Sequence, residues 1–347
     1  MSESEKTLFA KSIAIILTLA MVIITQTSCS SKKEPVSDEA FYLDTTCQLS
    51  VYDMKGGMTE KKAKKAIDEG FDTCRRLDKE LSNTVETSDI SRINSAGGQW
   101  VAVGEDALKV IKAGIEYGKI SDGAFDITIG RVTELWNFQS DNPVLPDGNK
   151  LADALNHVDY TKLEVDGANV RLTDPYSKID LGGIAKGYIG DRVADKLKEC
   201  GVTSGIVNLG GNVIAIGDKP GGRKFRIGIE KPFSDRSETV GSVDIEDKTV
   251  VTSGVYERQF KLDGKIYYHV LDVRTGYPIP TDLDSATLLM DYGHSMDADA
   301  MSTICLMKGA NEAKRFIENR GDVRGGILCL HNGEIIKTHG VKLNSAE

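Results

Sequence analysis

A strand, a glycine turn and a helix start meet in residues 180–188, Asp-Leu-Gly-Gly-Ile-Ala-Lys-Gly-Tyr, and little else in the chain is so constrained. Strand-like segments precede it (170–172, then Lys178-Ile179-Asp180). An amphipathic helix follows, with Ala185, Ile189, Val193 and Leu197 recurring four apart and Gly201 closing the segment. Such a junction gathers free backbone N–H groups and the positive end of a helix dipole at one spot, which suits phosphate. Asp180, read as a buried carboxylate, and Lys186 flank it with the charges expected near a phosphate–metal site. An ordinary strand-to-helix turn, with glycine supplying the geometry, accounts for the same residues.

Around this stretch the chain alternates strands and helices without a repeat. Residues 41–52 alternate as one strand, 59–81 form a charged helix, 105–120 a second helix, and 151–158 a short one. Residues 163–172 read as a hairpin, and 205–216 as a buried strand interrupted at Gly210-Gly211, the mark of a bulge or a close approach. Further strands are read at 226–230, 240–245, 249–252 and 265–272. A third long helix covers 299–319, and a closing hairpin turns at Asn332-Gly333. Hairpins interspersed with helices point to an α+β fold with mixed or mainly antiparallel sheets.

The formal net charge of -9, with no Lys/Arg-rich run, argues against a nucleic-acid partner. Lys6 and Lys11 precede an apolar run from Ile13 to Ile24, shorter than the roughly 20 residues of a membrane span but fitting a secretory signal. Gln26-Thr27-Ser28-Cys29 resembles a bacterial lipoprotein processing site, although Gln26 stands where an aliphatic residue is usual. The reading is therefore a signal peptide over 1–28, a lipidated tether over 29–40 beginning at Cys29, and one folded domain over 41–340 held at the extracytoplasmic face of the cell membrane. An uncleaved signal anchor is the alternative. Cys47, Cys74, Cys200, Cys305 and Cys329 remain, with no C-x-x-C pair and no metal spacing; Cys305 and Cys329 sit in apolar runs and read as core. Export would permit disulfides, but the spacing assigns none.

Asp299 and Thr303, four apart, share one helix face and offer two hard oxygen ligands, which suit Mg²⁺ better than zinc or copper. A helix-terminal acid beside a filler threonine is the plainer reading of that pair. Thr252-Ser253-Gly254 followed by Tyr256-Glu257-Arg258 could be a binding loop, and His269 lies on a strand ahead of Asp272, Arg274 and a Gly-Tyr-Pro turn. The serine-hydrolase elbow, the Walker lysine loop, a dinucleotide fingerprint and H-E-x-x-H are all missing.

Taken in order, these segments resemble the ApbE family, the FAD:protein FMN transferases. The set comprises Leu43-Asp44-Thr45, Ser91-Arg92-Ile93-Asn94, the run 123–130, 180–188, 208–212, Val251-Thr252-Ser253-Gly254, Tyr256-Glu257-Arg258, 269–278 and Asp297-Ala298-Asp299-Ala300. The resemblance implies a single ApbE-like, T-fold-like domain. It also implies an enzyme that binds FAD and Mg²⁺ and attaches FMN to a threonine hydroxyl of an acceptor flavoprotein, releasing AMP. Typical acceptors are subunits of Rnf- and Nqr-type membrane redox pumps. By motif position, Asp299, Thr303 and the Ala185 carbonyl would hold the metal. Ala124, Phe125, Asp126, Asp180, Lys186 and Val270 would contact FAD, with Leu43 near the flavin or adenine. His269 is expected as base or orienter, with an aspartate beside the metal, Asp299, as its rival. Gly130-Arg131 and Asp272-Val273-Arg274 depart from the family's usual prolines, which touches loop shape and leaves the expected ligands in place.

Overall fold

The frame of the molecule is set by β2 (Thr45–Met54), where Cys47, Leu49 and Val51 alternate onto one buried face. The computed structural model describes residues 34–138, 143–234 and 238–345. The expected signal (1–28) and lipidation site Cys29 lie outside the described residues. No helix among the described residues is long and apolar enough to cross a membrane.

Eight strands build the main sheet. In spatial order they are β1 (Val36–Tyr42), β2, β6 (Val202–Leu209), β7 (Asn212–Ile216), β10 (Lys248–Gly254), β13 (Leu283–Asp291), β14 (Val323–Leu330) and β15 (Ile335–Lys337). Every neighbouring pair is antiparallel, as expected for a sheet made largely from hairpins. One face is covered by three helices, α1 (Glu60–Glu80), α6 (Ala185–Glu199) and α7 (Ser295–Glu318), and buries the large core. The other face packs under a separate hairpin, β8 (Phe225–Glu230) with β9 (Thr239–Ile245), through Phe225, Ile229, Val243 and Ile245. A third, smaller cluster around Trp136 joins α4 (Gly130–Trp136), α5 (Gly148–Leu155) and the hairpin β11 (Gln259–Leu262)–β12 (Lys265–Tyr268). The remaining helices are α2 (Asp89–Ser95) and α3 (Glu105–Ile120). β3 (Val101–Ala102), β5 (Asn169–Leu172) and β4 (Leu163–Asp166) form a three-stranded sheet.

Sequence explains the helices well. Thr59 caps α1 by accepting from Lys62 N at 3.3 Å, and Ala63, Ala66, Ile67, Gly70, Phe71, Cys74 and Leu77 form its buried stripe. The α+β expectation and the antiparallel sheets hold. Four local expectations change. What read as one strand over 41–52 is the β1–β2 hairpin, whose turn residues Leu43 and Asp44 both take positive φ, 55° and 57°. Likewise 205–216 is the β6–β7 hairpin turning at Gly210-Gly211, with φ of 58° and 93°. The sheet begins at Val36, inside the segment 29–40 read as tether; an edge strand with one solvent face needs no apolar run. Past 340, Asn344 exchanges two backbone hydrogen bonds with Ser242, so the fold also outruns the expected domain end.

α7 starts at Ser295, four residues before the expected start, so Asp299 lies on its second turn and points inward. The helix breaks at Gly309 (φ 70°), where Asp282 accepts from Ala310 N at 2.8 Å and restarts it.

Candidate active site

The opening of α6 crosses the opening of α7, and glycine makes the crossing possible. A Cβ on Gly187 would lie 2.2 Å from Ser295 O, closer than any real contact. At that crossing Gly187 N donates to Asp299 Oδ2 at 2.9 Å. Asp299 is 1% exposed, and its Oδ1 takes no hydrogen bond among the described residues. One turn along, Thr303 Oγ1 lies 3.1 Å from Ser253 Oγ and 3.3 Å from the Asp299 carbonyl. Gly183 comes to the same place from the other side, its Cβ position 3.9 Å from Thr303 Oγ1 and 2.9 Å from the Phe125 ring. Ala185 is bracketed by the Gly183 and Gly187 contacts, so the turn of 180–188, Phe125 and the Asp299/Thr303 pair form one junction.

The loops around this junction are pinned by side chains. Asn94 on α2 both accepts from Ile179 N (2.6 Å) and donates to Ile179 O (3.0 Å), fixing the segment that leads into Asp180. Ile129 bridges Lys178, Gly130 N donates to Lys178 O, and Asp180 N donates to Ile127 O, so the run 123–130 lies alongside. Gly130 has no room for a side chain there, with Lys178 O 2.7 Å from its Cβ position. Asp180 is half-buried, not buried as expected; it accepts from Thr133 Oγ1 (2.7 Å) and Gly182 N (2.8 Å), which shape the glycine turn.

Asp126 turns out differently from a free ligand-binding carboxylate. Its oxygens accept from Thr128 N, Thr128 Oγ1 and Tyr160 N, all within 2.8 Å, so its side chain holds the loop that presents Ala124 and Phe125. Burial raises its pKa, partly offset by those donors. Ala124 lines a cleft of about 320 Å³ with Gly123, Asp272, Arg274, Ile279 and Met307. Val270 is buried beside it, its carbonyl accepting from Ile279 N at 3.0 Å.

His269 is half-buried and bonded to Arg258: its amide donates to Arg258 O at 3.1 Å and its Nδ1 lies 3.3 Å from the same oxygen. Burial, with the charges of Arg258 and Lys186, pushes its pKa down to about 3, so the ring is neutral at physiological pH. Lys186 makes no ion pair or hydrogen bond among the described residues, and it lies in the first turn of α6, whose N-cap residue Ile184 supplies no side-chain bond. Leu43 takes a hydrogen bond geometry set by α1, its amide 3.5 Å from Asp78 Oδ2, and neighbouring Asp44 pairs with Arg258 at 3.6 Å. Thus Leu43 and His269 share the Arg258 corner, while Asp299, Thr303, Ala185 and Phe125 share the helix crossing.

The donor set fits a small hard cation. Asp299, a buried residue, has one carboxylate oxygen without a hydrogen-bond partner one helical turn from the Thr303 hydroxyl, and no cluster of three or more His, Cys, Asp or Glu residues exists among the described residues to favour a softer metal. Ser253 and Thr133 complete the site and were not singled out one by one from sequence. The Thr252-Ser253-Gly254 strand end was a visible signal for the first; nothing local marked Thr133.

Comparison with known proteins places this arrangement. The sequence model of the ApbE family matches residues 43–326. The chain is 34% identical to the FAD:protein FMN transferase of Klebsiella pneumoniae (strain 342), over 77% of this chain and 82% of that protein. It is 31% identical to that of Treponema pallidum (strain Nichols), over 77% of each. Its fold superposes on the crystal structure of the ApbE protein from Thermotoga maritima with a TM-score of 0.80 and 30% identity, covering 88% of this chain and 97% of that one. The flavin transferase ApbE of Vibrio cholerae gives a TM-score of 0.76 at 26% identity. With its helix crossing, its stitched loops and this likeness along most of its length, the chain belongs to the ApbE family.

Proposed function

We propose that the protein is an Mg²⁺-dependent FAD:protein FMN transferase, which moves FMN from FAD to a threonine hydroxyl of an acceptor flavoprotein and releases AMP. The observation that carries this reading is the junction of Asp299, Thr303, Gly183 and Gly187 at the start of α6. The relatives named FAD:protein FMN transferase support the substrate.

The residues divide the work as follows. Asp299 and Thr303, with the Ala185 carbonyl, would hold Mg²⁺, which when bound neutralises charge on the diphosphate and orients it for in-line attack. Lys186, through its side chain and its backbone N–H at the start of α6, binds phosphate oxygens. Ala124, Phe125 and Val270 present an apolar wall beside the cleft, where one end of FAD is held, and Leu43 lies toward its other end. Asp180 and Asp126 act through loop shape. His269 is too weak a base at a pKa of about 3 to match an operating pH near neutrality, so it orients the incoming hydroxyl or a phosphate oxygen as a neutral ring, and the proton leaves to another acceptor. Acceptors of the Rnf and Nqr type, and a lipid anchor at Cys29 holding the enzyme at the extracytoplasmic face, complete the proposal.

Incubation with FAD, Mg²⁺ and an acceptor domain tests it. AMP release with the acceptor gaining the mass of FMN is the expected result. AMP without acceptor modification would make the protein an FAD pyrophosphatase, and neither product would leave a flavin-binding protein.

A further inference from the structure

Three contacts set α1 in register over the β1–β2 hairpin. Gly70 lies over Leu49, whose Cδ1 is 2.8 Å from the Gly70 Cβ position. Cys74 follows one turn later, and Cys47 sits two residues back on the same inward face of β2; both are wholly buried. Asp78, a further turn on, accepts from Leu43 N at the hairpin turn. A helical turn of four residues advances about 6 Å and two strand residues about 6.7 Å, so the two spacings stay in step and bring Cys74 over Cys47. Cys47 and Cys74, both free thiols here, lie close enough for each to shift the other's titration, and the Cys47 thiol donates to Tyr42 O at 3.6 Å. The other cysteines stand elsewhere: Cys305 on α7, Cys329 on β14 under the β8–β9 hairpin, and Cys200 at the end of α6.

We propose that Cys47 and Cys74 are a disulfide site, a covalent link between β2 and α1 that fixes the turn carrying Leu43 and Asp44. The link matters for the site because Asp44 pairs with Arg258, and the Arg258 carbonyl holds His269. Oxidation removes two hydrogens from the pair. One cysteine thiolate attacks a disulfide of a protein or small-molecule oxidant, forming a mixed disulfide and releasing one oxidant thiol. The second cysteine then displaces the other oxidant thiol and closes the S–S bond. Since both sulfurs are buried in the folded chain, the exchange belongs to folding, before α1 closes on the sheet.

The test is to refold the full chain with oxidised glutathione or with excess dithiothreitol, then block free thiols under denaturing conditions and map the peptides. A peptide joining Cys47 to Cys74, lost on reduction, is expected. The oxidised wild type should melt about 5 °C above the reduced form, given the loop the bond closes. A Cys47→Ala/Cys74→Ala variant should show no difference between the two conditions. Free Cys47 and Cys74 in the oxidised sample, or a cross-linked protein that melts no higher than the reduced one, would overturn the proposal; the peptide map needs no variant to fold.

Discussion

Asp299 spends one oxygen on a backbone N–H and keeps the other unclaimed in a site that is almost closed to solvent. An asparagine there can still accept from Gly187 N through its carbonyl oxygen, but it offers a cation a neutral ligand in place of a charged one. Asp299→Asn should therefore lower FMN transfer by about 100-fold or more while leaving the thermal midpoint near that of the wild type. A transfer assay with a mass-spectrometric readout, beside a melting curve, checks both halves. His269 makes the opposite case. A ring already neutral at neutral pH gives the rate no limb near the ordinary histidine pKa, and a neutral amide can stand in for an orienting ring. His269→Gln should keep transfer within about tenfold of wild type, whereas loss of a true general base costs roughly 10²–10⁴-fold. A drop in that larger range, or a wild-type limb close to 6.5, would restore the ring as base.

The crossing of α6 over α7 carries the site at the level of elements. α7 lacks a side-chain cap of its own; Asp191 on α6 supplies one, accepting from Ser295 N and Met296 N at 3.1 Å each. Gly187→Ala drives a methyl into the Ser295 and Met296 backbone, which cannot yield without separating the helices, and should cost about 1–3 kcal/mol together with the Asp299 bond. Urea unfolding and FMN transfer should fall together in that variant. Asp191 adds a pH dependence. Burial, with Asp297 and Asp195 nearby, raises its pKa from 3.8 to about 7 against the pull of its two N–H donors. A carboxyl raised by folding binds more protons in the folded state, so its contribution is full below 3.8 and is lost as pH rises through about 7. The loss is at most about 4 kcal/mol, and comparing urea midpoints at about pH 5 and about pH 8 should show stability falling in wild type and nearly flat in Asp191→Asn. An equal slope in both proteins would assign the effect to other groups.

For the molecule as a whole, periodicity in the sequence revealed α1 and α3 almost to the residue, because their stripes and caps are local properties. It concealed two hairpin turns: Leu43-Asp44 carries no glycine to announce its positive φ, and Gly210-Gly211 lies inside a stretch, 205–216, that otherwise reads as one buried strand. The Asp299/Thr303 pair was legible as residue types four apart, and the family's motif order singled it out as the proposed cation site. Asp126's use as a loop staple, the Asn94 clamp on Ile179 and the Asp191 cap were not, since each joins segments distant in sequence and only the packed loops bring the partners together. The cation should then register in global stability, since a ligand held between α7 and the 180–188 turn must favour the folded state over the unfolded one. Mg²⁺ at about 100 times its dissociation constant stabilises the fold by about 2.7 kcal/mol. For a chain of this size that is a rise of roughly 4 °C in Tm. The rise should vanish with EDTA, which should also stop FMN transfer, and it should be absent in Asp299→Asn. A wild type whose Tm ignores Mg²⁺, or an Asp299→Asn variant that responds as strongly as wild type, would separate the cation from this pair of residues.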